Sequence, residues 1–281
     1  MSSFQLYNEV TALSSQQTTL MYSSSFSSAI KLLHKDLRQP IYDIYGFVRF
    51  ADEIVDTFHD FDKATLLEEF TKETWLAIER GISLDRILNS FQKTVNDYAI
   101  PHSLIKAFLH SMELDLQKTD YTTTEELNEY IYGSAEVVGL MCLCVFCNGN
   151  ITQYEQLKPA AKKLGAAFQK INFLRDLQAD KIDLNRNYFP QLTSYEFNEA
   201  SKKLIEADIE QDFKDSLEGI RKLPNGARFG VYTAYQYYYC LFRKIKNTRA
   251  IHVIEKRIRV NNFHKLFIVF QSKLIFKANL I

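Results

Sequence analysis

The chain has 281 residues, 46% of them hydrophobic and 14% aromatic, which supplies a substantial core and excludes a disordered polypeptide. Its 34 basic residues balance its 34 acidic ones, so no net charge draws it to nucleic acid. Only 9 glycines and 5 prolines interrupt it; the long unbroken stretches favour helices and predict an all-α fold.

The opening "MSSFQLYNEV" has neither the basic stretch nor the apolar run of a leader peptide, so the protein reads as cytoplasmic. Helices are predicted at residues 18–33, 38–57, 63–79, 84–97, 101–117, 124–147, 153–180, 194–221 and 226–247, with a last one near 262–278. Gly81, Pro101, "NGN" at 148–150, Pro190 and "PNG" at 224–226 separate them. No low-complexity linker divides the chain, and residues 1–281 read as one domain.

In the second helix, "RFADEIVD" (49–56) sets Arg49, Asp52 and Asp56 at i, i+3 and i+7, on one stripe, while Phe50, Ala51, Ile54 and Val55 point elsewhere. Within 124–147, Gly133, Ser134, Ala135 and Gly139 interrupt bulky neighbours, for close helix packing or to leave room for a long ligand. "LMCLCVFC" holds Cys142, Cys144 and Cys147, which read with Cys240 as small buried hydrophobes in a reducing compartment. The apolar run Val137 to Cys147 is too short to span a bilayer.

The helix at 153–180 repeats the charged pattern. Asn172, Asp176 and Asp180 follow at i, i+4 and i+8, with Arg175 beside Asp176 and Gln169 one turn earlier. Aspartates four apart repel; at 4 Å in an effective dielectric near 20 the penalty is about 4 kcal/mol. A divalent metal relieves it, and Mg²⁺ suits oxygen ligands shared with a substrate phosphate. Arg49 and Arg175 would grip phosphate oxygens. One such element alone reads as a salt-bridged exposed face; two, each inside an apolar segment, point to a metal-dependent, diphosphate-binding helical protein.

"YTAYQYYYCLF" (232–242) is the densest aromatic cluster, mostly core, with Tyr238 a candidate to present its ring to a carbocation. The six histidines are scattered, and no Ser-His-Asp set, GxSxG, Walker A or GxGxxG appears. Residues 243–281 carry ten basic residues against the single acid Glu255, a net +9 hidden in the neutral total. The tail "FHKLFIVFQSKLIFK" is an amphipathic helix for a membrane surface or a packing helix that closes the domain.

In chain order, "SFSSAIKLL", "RQPIYDIYGFVRFADEIVD", "YIYGSAEVVG", "LGAAFQKINFLRDLQAD" and "NRNYFP" resemble the phytoene, dehydrosqualene and squalene synthases, the head-to-head prenyl transferases, over roughly residues 22–260. The resemblance implies an isoprenoid-synthase fold, a helical barrel around a central cavity with the two Asp-rich helices facing across its mouth. It implies Mg²⁺, with Mn²⁺ as a substitute, on Asp52, Asp56, Asn172, Asp176 and Asp180. It maps substrate contacts onto Tyr22, Ser23, Ser24, Ser25, Tyr45, Arg49, Gln169, Asn172, Arg175 and Tyr188, and adds Tyr130 and Tyr238 to the four aspartates as the catalytic set. Relatives often have histidine where Tyr22 stands and Gly-Glu where this chain has Gln178 and Ala179. The implied reaction is phytoene synthesis from two geranylgeranyl diphosphates through a cyclopropylcarbinyl diphosphate, without NADPH. Dehydrosqualene or squalene synthesis from farnesyl diphosphate, a single-substrate terpene cyclase, and a non-catalytic lipid-binding or assembly relative are the alternatives.

Overall fold

The computed structural model describes residues 2–183, 188–190, 197–278 and 281, with the backbone alone at 179–183 and 262. Helices account for its regular structure, and there is no strand among the described residues. The all-α expectation therefore holds.

The first helix was legible only at its end. α1 runs Ser3–Tyr22, opened by a capping box between Ser2 and Gln5, whereas the apolar pattern starts a helix at 18. The cause is chemical: α1 buries Thr11, Ser15 and Thr19 rather than a hydrophobic stripe. Two of those hydroxyls are satisfied across the interface with α5 (Arg86–Asp97), where Asn89 donates to Thr11 at 3.0 Å and Ser15 pairs with Ser90, while Thr19 donates to the Ser15 carbonyl at 3.0 Å. Ser23, in an extended conformation, breaks the chain and caps α2 (Ser24–Ile30) by accepting from Phe26 N.

α3 (Lys35–Asp56) is strongly amphipathic. It buries Ile41, Ile44, Phe47, Ala51, Ile54 and Val55, and Phe47 stacks on Phe91 of α5 with ring centroids 3.8 Å apart. α4 (Lys63–Arg80) ends at Gly81, whose φ of 70° favours glycine. α6 (His102–Gln117) follows Pro101.

α7 (Thr124–Ile131), a π turn (Tyr132–Glu136) and α8 (Val137–Cys147) form one continuous helix. By length and composition the whole helix Thr124–Cys147 is long and apolar enough to cross a membrane, although its last eleven residues alone are not. Half of its apolar window is buried, and it packs on α6, α3 and α9, so its apolarity serves the core.

α9 (Ile151–Asp183) is the longest described element and packs against α8 and α10 (Glu199–Lys222). Two lysines of α9 reach buried Asp212 of α10: Lys170 at 2.6 Å and Lys163 at 2.8 Å. α11 (Asn225–Lys246), α12 (Ala250–Glu255) and α13 (Asn262–Lys277) complete the chain. α12 is six residues long and carries no periodic signal of its own.

Candidate active site

A cavity of about 590 Å³ lies inside the bundle, lined by the end of α1, α2, α3, α6, the α7–α8 helix, α9, α10 and α11. Its deep wall is apolar, with Leu33, Ile41, Met112, Leu143, Leu157, Leu164, Ile220 and Leu223. Its mouth is polar. The α3 stripe brings Tyr45, Arg49, Asp52 and Asp56 to it, and α9 brings Gln169, Asn172, Arg175 and Asp176.

Tyr22, Ser23, Tyr130, Tyr188 and Tyr238 also line the cavity. Ser24 and Ser25 lie outside the lining, and exposed Ser24 accepts instead from Lys265 Nζ at 2.7 Å. Asp180 continues α9 as a helical residue, but its side chain lies outside the described residues. Of the small residues, Ser134, Ala135 and Gly139 border the cavity. Gly133 serves packing instead, since a Cβ there would sit 2.7 Å from the Ala107 carbonyl oxygen of α6.

The mouth is dense with paired charge. The Arg49 guanidinium lies 4.4 Å from the Tyr22 ring centroid and contacts the Glu53 carboxylate. Its Nε is buried without a hydrogen-bond partner among the described residues, a donor built to meet an acceptor. Asp176 holds two guanidiniums: Arg175 Nε donates at 3.0 Å and Arg257 Nε approaches to 2.7 Å. Tyr238 donates to Asn172 Oδ1 at 3.4 Å, and its hydroxyl pKa is raised by burial, partly offset by Arg175. Burial also pushes Tyr45 up to about 12. Both phenols therefore stay protonated hydrogen-bond donors at neutral pH.

Below the mouth, rings replace charges. Phe26 touches Tyr45, Phe168 and Tyr238, and Phe168 stacks on Tyr238 at 3.8 Å. On the other side Phe173 stacks on Tyr188 at 3.9 Å, with Tyr130 at 5.5 Å from Tyr188. The Tyr130 hydroxyl donates to both Asp115 oxygens at 2.8 and 2.9 Å, and burial with that neighbouring carboxylate holds its pKa well above the ordinary value.

Arg257 and Asp115 are cavity residues that sequence reasoning missed. Arg257 showed only as one charge in the basic C-terminal segment, and Asp115 only as one of two acids, with Glu113, near the end of α6. Phe168 had a signal: it sits one turn before Asn172 on the same stripe of α9. The cysteines are free; Cys144 and Cys147 are buried as expected, whereas Cys142 and Cys240 are half-buried, and burial raises Cys142 to about 12 and Cys144 and Cys147 to about 11.

Among the described residues no three His, Cys, Asp or Glu side chains converge as a ready metal cage. Mg²⁺ does not need one, because it keeps several waters and takes one or two carboxylates together with substrate phosphates. The hard oxygen donors Asp52, Asp56, Asn172 and Asp176 on one mouth fit such an ion.

Residues 21–264 match the profile of the family described as squalene/phytoene synthase. A phytoene synthase of Arthrospira platensis is 26% identical over 278 aligned positions, covering 89% of this chain and 88% of that protein. A 4,4'-diapophytoene synthase of Staphylococcus haemolyticus is 27% identical over 192, covering 66% of this chain and 65% of that protein. Among solved structures, a dehydrosqualene synthase in complex with ligand superposes with a TM-score of 0.84 at 20% identity, over 99% of this chain and all of that one. The squalene synthase of Alicyclobacillus acidocaldarius gives 0.76 at 18%, over 86% and 95%. These likenesses place the fold with the isoprenoid-synthase helical folds of the squalene synthase type.

Proposed function

Because the chain belongs to the squalene/phytoene synthase family, we propose that it is a divalent-metal-dependent prenyl transferase that condenses two geranylgeranyl diphosphates head to head into phytoene. The observation that carries this reading is the pairing of the α3 and α9 carboxylate stripes at the polar mouth of an apolar cavity. Asp52, Asp56, Asn172 and Asp176, continued by Asp180, would hold Mg²⁺, which supplies charge neutralisation to a departing diphosphate. Arg49, with its unpartnered Nε, and Arg175 grip phosphate oxygens in two-pronged fashion. Tyr45 and Tyr238 add neutral donors. Further in, Phe26, Phe168, Phe173 and Tyr188 line the cavity, where a ring face presented to a cation is worth up to about 2 kcal/mol once water is excluded.

The reach of the lining along α9 supports the longer chain. From Asn172 to Leu157 the lining runs along α9 for fifteen residues, about 22 Å at 1.5 Å per residue. An extended geranylgeranyl chain needs about 18 Å and a farnesyl chain about 13 Å, at ~1.2 Å per bond. That reach is long enough for either chain and leaves room for the longer one. The similarity to the staphylococcal diapophytoene synthase supports the second reading, dehydrosqualene from farnesyl diphosphate.

The test is to incubate purified protein with Mg²⁺ and each diphosphate separately, without NADPH, and to identify the extracted hydrocarbon. Phytoene from geranylgeranyl diphosphate is expected. Turnover of farnesyl diphosphate alone favours the second reading. Squalene formed only with NADPH, or no hydrocarbon from either substrate, overturns the assignment.

A further inference from the structure

Helix α13 has one face covered by the protein and one apolar face left bare. Buried Ile268 and Ser272 mark the side turned inward, where the helix packs on α11. On the opposite side Phe263, Leu266, Phe267, Phe270 and Leu274 recur at i, i+3, i+4, i+7 and i+11, a single stripe. They are 86%, 69%, 57%, 61% and 53% exposed. Five large apolar side chains in one contiguous strip are more than a monomer ordinarily leaves in water.

The charges around the stripe select its occupant. Lys273 and Lys277 are exposed along one edge, and the segment entering the helix exposes Lys256 and Arg259. Residues 243–281 are net +9 with Glu255 their single acid. A second copy of the chain would set the exposed Lys256, Arg259, Lys273 and Lys277 against their own like charges; an anionic surface is attracted. Apolar residues flanked by lysines, on a helix already anchored to the protein by its other face, have the form of an interfacial helix.

Position adds an orientation. Lys265 Nζ donates to Ser24 Oγ at 2.7 Å and ties the first turn of α13 to the break between α1 and α2. There Met21 is 76% and Tyr22 51% exposed, and Tyr22 lines the cavity mouth. Arg257, shortly before α13, reaches Asp176 at that same mouth. The bare stripe thus begins beside the opening of the cavity.

We infer that this stripe docks the protein on an anionic lipid bilayer, with the cavity mouth held next to the membrane surface. The inference rests on exposure and charge and stands whichever substrate the cavity takes. It is tested by flotation of the full-length protein with vesicles of phosphatidylcholine alone and of phosphatidylcholine with phosphatidylglycerol. Binding to the anionic vesicles, weakened by added salt, is expected. Phe267→Ser with Phe270→Ser lowers the partition coefficient by about tenfold or more, and Lys273→Glu with Lys277→Glu lowers it on anionic vesicles only; both variants keep the parental circular dichroism. Phe263→Trp reports the orientation, its emission shifting to the blue on anionic vesicles. The inference is overturned if the parent protein stays unbound, if neither pair of substitutions weakens binding, if Phe263→Trp shows no shift, or if sedimentation reveals a dimer that the phenylalanine pair dissolves.

Discussion

Asp43 sits one helical turn and a half before Arg49 on α3 and is 5% exposed, between α1 and α5. Gln39 donates to its Oδ1 and Thr94 to its Oδ2, each at 2.8 Å. Burial raises its pKa from 3.8 to about 7, against the opposing pull of hydrogen bonds from Gln39, Thr94, Ser90 and Ser15. The folded state therefore holds a proton that the unfolded chain releases between those two values. With fewer protons bound in the unfolded state, stability is fully present below pH 3.8 and declines as pH rises to about 7, where the loss levels off. About three pKa units correspond to about 4 kcal/mol. Asp43→Asn removes the titration and keeps the shape: its Oδ1 still accepts from Gln39, and its Nδ2 donates to the Thr94 hydroxyl, which rotates. Urea unfolding of both proteins at about pH 4 and pH 8 is expected to give similar stabilities in acid and a variant more stable by about 4 kcal/mol in base. A difference that does not change with pH would refute the reasoning, because it would mean that Asp43 is ionised in the fold throughout.

Three other outcomes follow from the structure. Asp52→Ala and Asp176→Ala are each expected to remove prenyl transfer, measured by diphosphate release, while leaving the thermal midpoint within a few degrees of the parent; near-normal turnover in either speaks against the metal assignment. Gly133→Ala drives a methyl to 2.7 Å from the Ala107 carbonyl and 2.8 Å from Ser111 Cβ, so calorimetry should register a loss of about 1–3 kcal/mol. Asp212→Asn leaves Lys170, 8% exposed, with Asp208 as its remaining carboxylate; a loss of about 3 kcal/mol in urea unfolding is expected, and none would mean that the pair is solvated.

Both charged stripes could be read from the sequence because each is local. Arg49, Asp52 and Asp56 share one helix, as do Asn172, Arg175 and Asp176, and helical periodicity alone puts each set on a common side. What brings the two sets to one mouth is packing of α3, α8 and α9 across more than a hundred residues, which periodicity does not encode. Arg257 and Asp115 were illegible for the same reason: each acts through a distant partner, Asp176 and Tyr130. α1 failed differently. Its buried face is built of hydroxyls and amides whose hydrogen bonds stand in for hydrophobic burial, so the usual apolar signal is missing.

The π turn at Tyr132–Glu136 joins these two kinds of illegibility to the site itself. Tyr130, Ser134, Val138, Cys142 and Phe146 all line the cavity, at steps of four residues. In an ideal α-helix with 3.6 residues per turn, each such step rotates the side chain by about 40°, so the stripe would turn away from the cavity over four steps. A turn with i→i+5 bonding is wider and takes up part of that drift. The close approaches hold it there: Gly133 lets the turn lie against α6, and Gly165 of α9, whose Cβ would fall 2.8 Å from the Ala135 carbonyl, admits it on the other side. For Gly133 the packing reading of the sequence therefore holds, and close approach there and at Gly165 keeps the stripe through Ser134 facing the cavity. A periodicity search at 3.6 residues sees one ordinary helix at 124–147, because the irregularity that aims its side chains is specified by contacts on its far side.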